Sequence, residues 1–169
     1  CVLIKYNANL TLEWRQLHPN SVTTLTSLLS IKQTADGGFI YTGELANVAS
    51  MVKTDAQGVI EWRRLFNNNI VLAHDVVVLP NQGGYAATVW QPNLDVIHLY
   101  RLDTLGRTLW NINLKDSLTN TTFSFAHLNI SQDGNLVIGT TKRTWSLHTT
   151  LGIGLSKHHI NDGRVLWEQ

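Results

Sequence analysis

The chain of 169 residues has a single cysteine, Cys1, so no disulfide forms within it; Cys1 pairs elsewhere, stays free or carries lipid. Against lipidation, it runs directly into Val2-Leu-Ile-Lys-Tyr6, a strand pattern rather than a flexible tether. No apolar run reaches eighteen residues and no charged, apolar, small-residue leader is visible, so neither a membrane span nor a signal peptide is expected here. Charged residues make up only 15% and the net charge is +1, without a basic cluster, which argues against a nucleic-acid partner. Helical spacing of apolar residues is also missing, since no segment sustains it for three turns.

What the chain does have is repetition. Lys53-Thr-Asp-Ala-Gln-Gly-Val-Ile-Glu-Trp62 is echoed by Lys5-Tyr-Asn-Ala-Asn-Leu-Thr-Leu-Glu-Trp14 and Arg101-Leu-Asp-Thr-Leu-Gly-Arg-Thr-Leu-Trp110, then by Ile160-Asn-Asp-Gly-Arg-Val-Leu-Trp167. The tryptophans are spaced 48, 48 and 57 residues apart, a period at which repeats build propellers or solenoids. Short aliphatic and aromatic runs separated by Asn, Asp and Gly turns read as strands. They form a hairpin over 1–20 and three four-stranded units over 21–66, 67–114 and 115–169, with a longer loop at 142–152 explaining the last spacing. The last turn, Asn161-Asp-Gly163, reads as one residue shorter than its relatives.

The expected class is all-β, a β-propeller of four-stranded antiparallel blades, about three and a half of them in a single domain. The half blade at the start lacks its two inner strands, so the propeller is open or completed by other segments or chains. Within each unit a Gly-rich turn supplies positive φ, and the outer-strand Trp buries its ring on the adjacent blade.

Gln33-Thr-Ala-Asp-Gly-Gly-Phe-Ile40 and Val52-Lys-Thr-Asp-Ala-Gln-Gly-Val-Ile-Glu-Trp62 carry a resemblance. They resemble the secreted bacterial propeller repeats built on an Asp-Gly-Gly turn and a Lys-Thr-Asp, Gly and Trp strand pair. That likeness implies a propeller at an extracellular or cell-surface location, with no single shared activity. The Asp, Gly and Trp pattern is also distantly similar to the docking motif of pyrroloquinoline-quinone enzymes, whose cofactor residues have no counterparts assigned in this chain.

Candidate chemistry is sparse. His74, His98, His127 and His148 share no short ligand spacing, and His158 and His159 point to opposite faces of one strand. Aligned on the turns, His127 takes the place of Ser30 and Val76, so no ring of identical ligands arises. Asp36, Asp55, Asp103 and Asp133 read as turn formers rather than calcium ligands or catalytic acids. No Gly-x-Ser-x-Gly elbow occurs, and Gly152-Ile-Gly-Leu155 reads as a bend. No catalytic, metal or cofactor residue is assigned.

Two aromatics, Trp90 and Trp145, fall outside the repeating register beside loops, where they are candidates for a glycan or protein contact. Sequons place glycosylation candidates at Asn9, Asn120 and Asn129, the last least favoured because an inner strand should be crowded by its neighbours. The expected function is a non-catalytic secreted or surface module with a structural or protein-interaction role, including self-assembly. The alternatives are a carbohydrate-binding module and a fragment of a quinoprotein-like enzyme.

Overall fold

The computed structural model describes residues 2–18, 25–45, 48–66, 72–81, 83–91, 94, 96–114, 121–144 and 150–169. All described secondary structure is β, and no helix is long and apolar enough to cross a membrane. A hairpin of β1 (Val2–Tyr6) and β2 (Leu12–Leu17) comes first. The first four-stranded sheet contains β3 (Leu25–Gln33), β4 (Phe39–Leu45), β5 (Val48–Thr54) and β6 (Ile60–Leu65). The second has β7 (Leu72–Val78), β8 (Tyr85–Gln91), β9 (Val96–Leu102) and β10 (Thr108–Leu114). The third has β11 (Thr121–Ile130), β12 (Leu136–Thr144), β13 (Thr150–His158) and β14 (Val165–Glu168). Each sheet is an antiparallel meander in chain order, an arrangement consistent with propeller-like blades.

Strand alternation explains how the middle sheet holds its two neighbours. On β8 the adjacent Ala86 and Ala87 are both fully buried, yet they enter different cores because successive side chains point to opposite faces. On β9, Ile97 and Leu99 join Ala86 in a core with Leu128, Leu136 and Ile138 of the third sheet. Tyr100 and Leu102 face the other way, onto Ile40 and Met51 of the first sheet. Each fully buried Leu or Ile contributes about 1.5–3 kcal/mol relative to exposure, so a two-faced strand contributes to both seams at once. Small residues on β8 let the sheets approach closely.

The hairpin is held on the first sheet by Leu3 and Trp14 against Tyr41, Val52 and Ile60. His18 adds a buried bridge: one ring nitrogen lies 2.8 Å from the Gly58 carbonyl and the other 2.7 Å from the Tyr41 hydroxyl. A carbonyl only accepts, so Nε2–H donates to Gly58 and Nδ1 accepts from Tyr41 in the neutral ring. Burial pushes the Tyr41 hydroxyl up to about 12.

Two sequence registers need correction. The final turn is longer than its relatives, since His159 N bonds Arg164 O and Lys157 pairs with Trp167, whereas Asp55 N bonds Val59 O. The turn after β7 is also longer: Leu79 N reaches Gly84 O, five residues on, where Thr34 and Ser131 reach four. Counting back from the glycines therefore slips by one. Asp75, not Val76, is the equivalent of Ser30 and His127, as the pairings Ser30 with Thr42, Asp75 with Thr88 and His127 with Gly139 show.

Candidate functional site

Three features emerge where sheets meet. The first is a repeated seam in which the Trp of one unit lies on the Gly turn of the next. A Cβ built on Gly58 would stand 2.8 Å from the Trp14 ring, on Gly106 2.9 Å from Trp62, and on Gly163 2.8 Å from Trp110. These glycines have φ of +79°, +76° and +73°, so they supply both the left-handed turn and the bare surface on which the indole lies. The indole N–H of Trp62 donates to Thr104 O at 3.2 Å, and that of Trp110 to Ile160 O at 3.3 Å. Arg64 reinforces the middle seam by donating to Gly106 O and, at 2.6 Å, to Thr108 Oγ1. Its guanidinium also lies 4.9 Å from the centre of the Phe66 ring. Trp167, the fourth member, is 40% exposed and is not seated on a glycine turn among the described residues.

The second feature is a groove of about 600 Å³ at the turn end of the seam between the first and second sheets. Trp62 and Tyr85 form its aromatic side, with ring centres 5.9 Å apart and planes tilted by 59°. Its polar side is a three-residue ion network. Lys53, whose side chain is 3% exposed, donates at 2.8 Å to Asp36 Oδ2, to Glu61 Oε2 and to Thr54 O, using all three ammonium protons. Asp36 and Glu61 remain open to solvent, with side chains 56% and 44% exposed. Bonds from Lys53 and Thr34 hold the Asp36 carboxyl down at about 2. Burial alone would lower the Lys53 pKa, yet its bonds to Asp36 and Glu61 outweigh that and raise it. Tyr85 is raised, first by burial.

Part of this network belongs to the repeat. Lys5 pairs with Glu13 at 2.8 Å, and Lys157 with Asp133 at 2.7 Å, at equivalent positions in the hairpin and third sheet. The hydroxyl of Tyr85 does not repeat. Phe39 and Leu136 open β4 and β12 where Tyr85 opens β8, and Phe39 meets Trp14 edge-on with ring centres 5.8 Å apart.

The third feature is a cluster on the first strands β3, β7 and β11. Asp75, 7% exposed, accepts from Ser30 Oγ at 2.6 Å, from its neighbour Val76 N at 2.8 Å and from Leu128 N at 3.0 Å. His127 Nδ1 lies 3.6 Å from its other side and Lys32 Nζ 4.0 Å away. The sequence put no Ser, His and Asp together; the structure does, but the carboxylate sits between the other two. The Ser30 hydroxyl donates to Asp75 rather than to an imidazole, so the Ser–His pairing of a triad is not made and the arrangement ties three sheets together. Next to it, His74 is 6% exposed, stacks on Phe125 at 5.3 Å and has its Nε2 buried without a hydrogen-bond partner. Burial, then the nearby His127, lowers its pKa to about 4 despite the opposing pull of Asp75. Among the described residues no three His, Cys, Asp or Glu side chains gather as a metal site.

The residues singled out from sequence are scattered. Trp90 lies near the end of β8, half-buried, packed on the core shared with the third sheet and with its ring centre 6.4 Å from that of His74. Asn9 is exposed at the hairpin turn. Asn129 is also exposed, contrary to the expected crowding, because alternation on β11 turns Phe125, His127 and Asn129 outward while Ala126 and Leu128 enter the core. Cys1, Trp145 and Asn120 lie outside the described residues. No family model matches the chain, and no curated protein matches its sequence.

Proposed function

We propose that this chain is a non-catalytic β-propeller module of a secreted or cell-surface protein, with a structural and protein-interaction role. The observation that carries the reading is the Trp-on-Gly seam, made three times with the same geometry and left open at Trp167. A seam of this kind joins sheet to sheet, and β14 leaves the apolar Val165, Leu166 and Trp167 exposed, surface of the sort that sheet packing covers. The likeness to secreted bacterial propeller repeats supports the propeller and the secreted or cell-surface location.

Hydrogen exchange tests this reading, comparing the 169-residue chain alone with the protein in its native source assembly. The β14 amides are expected to be protected in the assembly and labile in the isolated chain. Equal exchange in both would remove the interaction role.

The groove beside Trp62 favours a second reading, a carbohydrate-binding module. Its aromatic rings and exposed carboxylates are the kind of surface that sugars use, and Trp90 is not among the residues that line it. A glycan array with the intact protein tests it, and an array without any bound glycan would dispose of it. For a quinoprotein-like fragment no specific observation speaks.

A further inference from the structure

We propose that the groove between the first and second sheets is a saccharide site, taking a neutral sugar unit between the Trp62–Tyr85 aromatic side and the Asp36–Glu61 carboxylates. The inference rests on the carbohydrate-binding reading and gives that reading a place. A volume of about 600 Å³ falls within the roughly 300–1,000 Å³ of small-molecule sites.

The chemistry selects the ligand class. An anion would meet the exposed Asp36 and Glu61 carboxylates, while Lys53, the cation of this network, is buried with all three of its protons engaged and leaves the group with one net negative charge. A neutral polyol avoids the repulsion an anion would meet and can donate its hydroxyl protons to the carboxylates. Those oxygens are fixed in advance: Asp36 is held by Thr34 Oγ1, the Gly38 amide and Lys53, and Glu61 by Lys53. Orientation therefore costs little on binding. A pyranose also has an apolar C–H face, for which the partly buried Trp62 ring offers a matching surface beside the buried Tyr85. Single ion pairs of the network recur at Lys5 and Lys157, but the Tyr85 hydroxyl is unique among its equivalents and adds a donor and acceptor at this seam alone.

The test is titration calorimetry of the full chain with the neutral oligosaccharides retained on a glycan array, together with Tyr85→Phe, Glu61→Gln and Trp90→Ala variants. Tyr85→Phe and Glu61→Gln are each expected to weaken binding about tenfold, the loss of one hydrogen bond to an oriented or charged partner. Trp90→Ala is expected to leave affinity within about twofold if it folds. Ligand-induced shifts of the Trp62 indole N–H resonance in wild-type protein give a readout independent of variant folding. Binding that spares both groove variants and leaves the Trp62 resonance unmoved would overturn the site while keeping the carbohydrate reading. No binding by any neutral glycan would remove the reading and the site together.

Discussion

Replacing Gly106 by Ala should cost far more than the same change at Gly134, although both glycines occupy left-handed turns, at φ +76° and +80°. A left-handed conformation costs a non-glycine residue roughly 1–2 kcal/mol, and this is all that Gly134→Ala would suffer, because nothing lies within 4 Å of a Cβ added there. At Gly106 the new methyl would stand 2.9 Å from two atoms of the Trp62 ring. That ring is held by its bond to Thr104 O and its contact with Tyr85, so relief requires moving the seam. Overpacking of this kind adds about 1–3 kcal/mol, bringing the expected loss to about 2–5 kcal/mol. Urea unfolding of the two variants beside wild type measures both, and repeating the Gly106 change in a Trp62→Ala background should reduce its cost to that of Gly134→Ala. Equal losses for the two single variants would refute the docking argument.

Two further outcomes test the first-strand cluster. Protonating buried His74 is disfavoured, its pKa being about 4 in the fold against 6.5 outside it; its contribution is therefore intact above pH 6.5 and lost as pH falls from there through about 4. The gap corresponds to about 3 kcal/mol at most, and urea midpoints followed against pH should show this limb reduced in His74→Phe, the remainder coming from His98 and His158, which burial also lowers; an unchanged limb would exclude His74 as a source. Asp75→Ala should lower stability by about 2–4 kcal/mol, because Leu128 N and Ser30 Oγ lose a buried acceptor; chemical denaturation giving less than about 1 kcal/mol would show that water replaces the carboxylate.

Much of the fold was legible from local patterns because these strands obey local rules. Asp55 and Asp103 each accept two amide protons within their own turns, so their role is written in the next four residues. The docking tryptophans could be read as packing residues because four copies share one offset. What escaped was set by lengths that repetition conceals. One extra residue between Leu79 and Gly84 moved Asp75 into register with Ser30 and His127. Asn129 looked crowded because its strand is an inner one, while the face it occupies is decided by single-residue parity. Tyr85 was hidden differently: as an aromatic following a Gly turn it fits the repeat, and only the position of its neighbours gives its hydroxyl significance.

Leu10 gains its meaning from the same equivalences. The hairpin turn has the hydrogen bonds of its relatives, with Asn7 N bonding Thr11 O and Leu10 N bonding Asn7 O, both at 3.0 Å, as Asp55 and Gly58 do in theirs. Leu10 thus holds the position that is glycine at 58, 106 and 163, and it does so at φ +60°. A leucine there accepts roughly 1–2 kcal/mol of backbone strain that glycine would avoid. It also carries the Cβ that would lie 2.8–2.9 Å from an incoming indole at the other three seats. A turn bearing Leu10 therefore cannot seat a tryptophan as Gly58 seats Trp14, and the exposed Trp167 of one copy has no matching seat on the hairpin of another. Head-to-tail contacts that do not close into a ring grow without limit, and here the hairpin turn withholds the glycine such growth would need. The structural role proposed for Trp167 accordingly requires a glycine-bearing turn from a sheet other than this hairpin.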